Sequence, residues 1–154
     1  MIKRMIGVKP RIEQKEPEWL PLEQVAEVEI SSEDSSHPIE AAITEGGSGW
    51  RAAGPGEQTI RLVFPQAKPV RRVRVAIEEH ERARTQEFVL RVSTPGGLWR
   101  EIARQQFNFS PGGATRQEET YRVDLPALAA LELRIVPDIS GGEARASLRE
   151  LRVG

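Results

Sequence analysis

Two short segments bring together the residue types that grip a hydroxyl-rich ligand. His80-Glu81-Arg82-Ala83-Arg84 offers an imidazole and two guanidinium groups, and Gln105-Gln106-Phe107-Asn108-Phe109-Ser110-Pro111 offers two aromatic rings around an amide. A saccharide is held by an apolar ring against its C–H face and by a few convergent hydrogen-bonding groups at its rim. His80, Arg82, Arg84, Phe107, Asn108 and Phe109 are therefore the candidate contact set. The same residues have a plainer use, with one phenylalanine in the core, the other covering it, and the arginines paired with neighbouring glutamates.

Other constellations carry less chemistry. His37 follows Asp34, Ser35 and Ser36, which are the residue types of a nucleophile, a base and an orienting acid. Triads are defined by geometry and are seldom built from sequence neighbours, so this reads as a loop that caps itself through its Ser and Asp side chains. His80 is flanked by Glu78, Glu79 and Glu81. Two histidines far apart in the chain make a poor transition-metal site. Arg71, Arg72 and Arg74, with Arg82 and Arg84, could meet phosphates, although arginines on an outer strand face usually pair with glutamates across the sheet. Pro137-Asp138-Ile139-Ser140-Gly141-Gly142-Glu143 lacks the Lys-Ser/Thr of a phosphate-binding loop and reads as a long hairpin connection.

Bulk properties narrow the classes. The chain has 154 residues and no cysteine, so disulfides and thiolate metal sites are absent. Its 22 Lys+Arg against 23 Asp+Glu give a formal charge of −1, which leaves no global field for nucleic acid or anionic membrane. No window approaches the roughly 18 apolar residues of a membrane-spanning helix, and the N-terminus has no apolar run of leader length. These features lead us to expect a cytoplasmic protein without a membrane partner.

The elements that would position these residues follow from periodicity. Residues 1–21 contain Pro10, Pro17 and Pro21 and read as an extended arm, tied down by Ile12, Trp19 and Leu20, ahead of a domain at 22–154. Period-two runs then recur at Val25–Ile30, Glu57–Phe64, Arg72–Ile77, Phe88–Val92, Leu98–Ile102, Tyr121–Leu125, Leu131–Ile135 and Leu148–Val153, with Gly96-Gly97 as a hairpin turn. Leu22–Glu27 and Leu125–Ala130 could each form one helical turn, and residues 31–49, 78–86, 105–120 and 137–146 read as irregular. Short strands at close spacing predict an all-β sandwich of about eight or nine strands. The expected core is Trp50, Ile60, Leu62, Phe64, Val73, Val75, Phe88, Leu90, Trp99, Val123, Leu133 and Leu148.

Ser31–His37 followed by Gly49–Ile60 resembles the opening of a galactose-binding-like jelly roll. Arg91–Ile102, a strand ending in serine, a glycine turn and a tryptophan on the return strand, resembles the discoidin (coagulation-factor type C) domains, as does the closing run Ala146–Gly154. That resemblance implies an inward Trp99 and a non-enzymatic recognition module, of carbohydrate-binding or discoidin type, with its ligand in loops at one end of the sandwich. It also implies a possible structural Ca²⁺, for which Glu45 and Glu150 are the weak candidates. Residues 28–64 are similar to the N-terminal domain of the X-ray repair cross-complementing scaffold proteins, through Ser31, Ser32, Asp34, Ser35, His37 and Glu40 and then Trp50–Ala53, Gly56, Glu57, Thr59 and Ile60. This second likeness implies an alternative, an intracellular domain that binds damaged DNA or a protein partner. A hydrolase is disfavoured, because no nucleophile elbow or carboxylate pair stands out. Ligand identity and oligomeric state are not legible in the chain.

Overall fold

The computed structural model describes Met1, Lys3 and residues 18–154. Ile12, expected to anchor the arm, lies outside them. The described elements run α1 (Leu22–Val25), β1 (Glu27–Ile30), α2 (Glu40–Ile43), β2 (Trp50–Pro55), β3 (Gln58–Glu78), β4 (Arg84–Ser93), β5 (Trp99–Phe109), β6 (Arg116–Val136), β7 (Arg145–Leu148) and β8 (Glu150–Val153). All the strand pairs are antiparallel. The fold is a jelly-roll β-sandwich.

Two strands build both layers. The separate runs at 57–64 and 72–77 are one 21-residue strand, β3, and β6 likewise spans 21 residues. Register shifts interrupt their pairing between Val63 and Arg72, around Pro65 and Pro69. Proline lacks the donor a regular ladder needs, so it sits at such bulges, and a bulge bends the strand. The first half of β3 lies between β1 and the second half of β6, which continues to β4 and β5. The second half of β3 lies between the first half of β6 and β8. β2 and β7 form a short pair beside them. Leu125–Ala130 is thus the bend in β6 and not a helical turn, because pairing with β3 satisfies its backbone better than one isolated turn would.

The inward faces of both layers meet in one core cluster. Ten of the expected core residues are buried there; Val123 only packs against its edge and Trp99 departs from it. The indole of Trp50 is 1% exposed, and its N–H donates to the carbonyl of Ser32 at 3.0 Å.

Trp99 is 37% exposed, which corrects the expectation of an inward ring. The reason is register. Phe88 and Leu90 pair with Gln105 and Ala103, but a bulge after Leu90 sets Arg91 opposite Glu101 and Ser93 opposite Trp99. With side chains alternating, Trp99 shares a face with Glu101 and stacks under the guanidinium of Arg91, 5.1 Å from the ring centroid. Trp99→Ala should therefore cost under about 1 kcal/mol in a urea unfolding experiment, against about 3–5 kcal/mol for Trp50→Ala.

At the other end of the chain, Leu20 N–H donates to the Val153 carbonyl (2.7 Å), and the Arg72 guanidinium lies 3.6 Å from the Trp19 ring centroid.

Candidate functional site

The site grows from the polar loop at 31–37. Ser31 and Ser32 hydroxyls donate to Gln58 Oε1 (2.6 and 2.7 Å) and accept the backbone N–H groups of Thr59 and Ala53. Asp34 caps its own turn by accepting the Ser36 N–H. The loop is self-capped, and no serine hydroxyl bonds His37 among the described residues. Asp34 N–H then donates to the Arg51 carbonyl (2.8 Å) and Arg51 N–H to the His37 carbonyl (3.2 Å). This local pairing sets His37 beside the start of β2.

β7 fixes the opposite wall. Ser147 Oγ donates to the Glu78 carbonyl and Arg149 N–H to the Ala76 carbonyl, which hold the β7–β8 junction against the end of β3. Gly49 lets β2 come close enough: at φ 99° it occupies a conformation that favours glycine, and a Cβ there would lie 2.9 Å from the Leu148 carbonyl oxygen. The result is a cleft of about 270 Å³ between His37, Trp50, Arg51, Glu78–Glu81, Arg145 and Ser147–Arg149. A second hollow, lined by Arg82 and Glu143, shares Arg51, Glu79, Glu81 and Arg145 with it.

The cleft interleaves donors and acceptors. His80 Nε2 lies 3.4 Å from Glu78 Oε2, and His37 Nδ1 lies 4.0 Å from Asp34. Arg145 is 3.9 Å from Asp34, and Arg149 is 3.9 Å from Glu78. The side chains of Arg51 and Arg82 have no ion pair or hydrogen bond among the described residues. Trp50 lines the cleft but is covered, so among the described residues no exposed Phe, Tyr or Trp ring faces it.

The six residues expected from sequence divide among different surroundings. His80 and Arg82 lie in the cleft and its annex. Arg84 has no exposed side-chain surface and bonds Glu79 (2.9 Å), Gln86 (3.1 Å) and the Pro137 carbonyl (2.7 Å). Burial pulls its pKa below the ordinary arginine value, and the Glu79 carboxylate opposes that shift. Phe109 is buried beneath it, its ring centroid 4.7 Å from the guanidinium carbon, with Phe107 tilted against it at 4.8 Å. Asn108 points the other way and accepts the Thr85 hydroxyl on the outer face. Residues 105–109 are therefore strand and not loop, and two of the six support the site from below. The residues missed were His37, Arg51 and Arg145, which long-range pairing brings in.

The calcium expectation does not match the donors. The Glu150 carboxylate is bonded by Arg152 (3.0 Å) and faces Arg74 (3.7 Å). The carbonyls of Ile43 and Gly47 accept from Arg152 and Arg149. Glu45 is exposed, and no cluster of three or more His, Cys, Asp or Glu forms among the described residues. Ca²⁺ needs six to eight free oxygens, and here the oxygens already hold cations. Two arginines of the basic stripe are committed too. Arg74 lies near Glu118 and Glu150, and Arg72 covers Trp19.

The pattern of the F5/8 type C domain matches residues 27–151. The chain belongs to this family. Among curated protein sequences none matches it. The F5/8 type C fold places it beside solved carbohydrate-binding modules. One is the family 32 module of NanJ from C. perfringens in complex with galactose, at TM-score 0.64 and 15% identity over 88% of this chain and 96% of that one. A second is the CpGH89CBM32-5 module from Clostridium perfringens in complex with GalNAc-β-1,3-galactose, at 0.63 and 18% over 88% and 99%. A third is the CBM32 of AlyQ in complex with 4,5-unsaturated mannuronic acid, at 0.58 and 20% over 84% and 95%.

Proposed function

We propose that this domain is a non-catalytic carbohydrate-binding module that takes a hydroxyl-rich saccharide in the cleft between His37, Arg51 and His80. The observation that carries this reading is the pair of uncommitted guanidinium groups, Arg51 and Arg82, set among carboxylates and two imidazoles. A sugar hydroxyl donates and accepts at once, so it is matched by charged donors and charged acceptors side by side, whose hydrogen bonds are the strong ones. The cleft, about 270 Å³, is at the small end of ligand sites and suits one or two sugar units. Family membership and the saccharides bound by its structural neighbours agree with this choice of ligand. In this reading His80 and Arg82 touch the ligand, while Arg84 and Phe109 set the height of the loop that carries them. With no exposed Phe, Tyr or Trp ring among the described residues lining the cleft, binding should be weak, with Kd on the order of 1 mM.

Titration with galactose, GalNAc-β-1,3-galactose and a uronate, followed by NMR, tests the proposal. A saccharide should shift the imidazole resonances of His37 and His80. Arg51→Ala and His80→Ala should each weaken binding about tenfold without lowering the melting temperature. Asn108→Ala, on the outer face, should leave affinity unchanged. Unperturbed histidines with all three ligands, or full affinity in both cleft variants, would remove this site.

A further inference from the structure

We propose that Arg149 and Arg152 act as a built-in substitute for a divalent cation, clamping the 40–49 segment to β8 and so holding one wall of the cleft.

The segment needs a clamp because of how it is built. α2 is a single turn (Glu40–Ile43), too short to satisfy its own last carbonyls. Gly47 then packs on the backbone of Ala41 so closely that a Cβ would lie 2.1 Å from its carbonyl oxygen. Among the described residues, no backbone N–H donates to the carbonyls of Ile43 and Gly47. Both are met from β8 and the residue just before it. Arg152 Nη1 donates to the Ile43 carbonyl at 3.2 Å, and Arg149 Nη1 donates to the Gly47 carbonyl.

The charges are arranged as they would be around a bound cation. Arg152 also donates through Nε to Glu150 (3.0 Å), so one guanidinium bridges a loop carbonyl and a strand carboxylate. Its side chain is only 10% exposed. Arginine suits this role because its planar fork serves two acceptors in fixed directions and stays protonated. A Ca²⁺ placed here would have to displace the guanidinium groups that already hold the Ile43 and Gly47 carbonyls and the Glu150 carboxylate.

The clamp reaches the ligand cleft. Gly47 leads through Ser48 and Gly49 to Trp50 and Arg51, and Gly49 N–H donates to the Ala41 carbonyl at 2.9 Å. Arg149 itself lines the cleft and lies 3.9 Å from Glu78. Loosening the clamp should therefore loosen the wall that carries Arg51.

The test is independent of any saccharide. Calorimetric titration of the wild-type domain with CaCl₂ should show no binding heat, and millimolar CaCl₂ or EDTA should leave the melting temperature where it was. Arg152→Gln and Arg149→Gln should each lower it by about 5 °C. Both should speed hydrogen exchange at the amides of Thr44, Gly47 and Gly49 more than at the core strands. Arg152→Lys, which keeps the charge but loses the fork, should recover part of the loss. Calcium binding by the wild type, or unchanged exchange at 44–49 in both glutamine variants, would overturn the proposal.

Discussion

Arg84→Ala is expected to lower the unfolding free energy by about 3–5 kcal/mol, the range for removing one partner of a buried charge pair. The side chain has no exposed surface and meets three acceptors at once: Glu79, Gln86 and the Pro137 carbonyl. Truncation strands all three. Glu79 is the costliest, because its side chain is only 19% exposed and loses its cation. The Phe109 ring also loses the group stacked over it. For a domain of this size the loss corresponds to about 10 °C in melting temperature.

The expected damage extends to binding. Glu79 begins the connection that carries His80 and Arg82, and its backbone N–H is fixed to the Thr115 carbonyl at 2.9 Å. Arg84 ties that same connection to Pro137 on a separate loop. Arg84→Lys separates charge from shape: a single ammonium group cannot reach Glu79, Gln86 and Pro137 together. It should recover less than half of the stability. Differential scanning fluorimetry of the three proteins decides the matter, and a melting temperature for the alanine variant within about 2 °C of wild type would rule out this role.

The sequence showed the fold more clearly than it showed the site, for a physical reason. Strand character depends on alternation, which is local. Ile60, Leu62 and Phe64, or Phe88 and Leu90, reveal a buried face without knowledge of their partners. The errors come where tertiary pairing changes the local pattern. The runs at 57–64 and 72–77 read as separate strands, yet they are one strand bent around Pro65 and Pro69. A bulge after Leu90 turns Trp99 outward although the hairpin around it is as expected. Leu125–Ala130 has the composition of a helical turn and is held extended by β3.

The candidate site depends on contacts that alternation does not encode. His80 and Arg82 were legible because they lie in one polar connection. His37, Arg51 and Arg145 come from three separate segments and converge only through the 34–51 pairing and the β2–β7 ladder. Arg84 and Phe109 looked like ligand contacts because a charged and an aromatic residue fall in segments read as loops. The register pairs them instead, directly opposite on β4 and β5, where they cover each other. In the same way, the last-strand glutamate was visible as a carboxylate, but the arginine two residues on that neutralises it was not read as its partner.

Glu132→Gln is expected to give the second large effect, and its size depends on pH. Glu132 lies on the outer face of β6, directly opposite Arg61 on β3 and Arg91 on β4. Arg61 donates at 2.8 Å and Arg91 at 3.3 Å, and Arg134 lies 3.7 Å away. Arg61 and Arg134 reach on to Glu29 and Glu57 at the margins. The carboxylate is thus a hub joining three strands, with only 5% of its side chain exposed. Burial alone would raise its pKa. The hydrogen bond from Arg61 and the charges of the three arginines outweigh burial and hold it below the ordinary carboxylate value. A depressed folded-state pKa means that the unfolded chain takes up the proton first. The stabilisation is therefore complete above the unfolded value of about 4.3, and it is lost as pH falls through the lower folded-state value. At neutral pH the substitution should cost about 2 kcal/mol, less than a fully buried pair, because the arginines remain partly hydrated. Below about pH 4 the gap between variant and wild type should close, since protonation removes from the wild type what the amide never had. Urea unfolding at pH 7 and in steps down to pH 3 measures both limbs. A gap that stays constant across that range would show that the charge of Glu132 is not what holds the three strands in register.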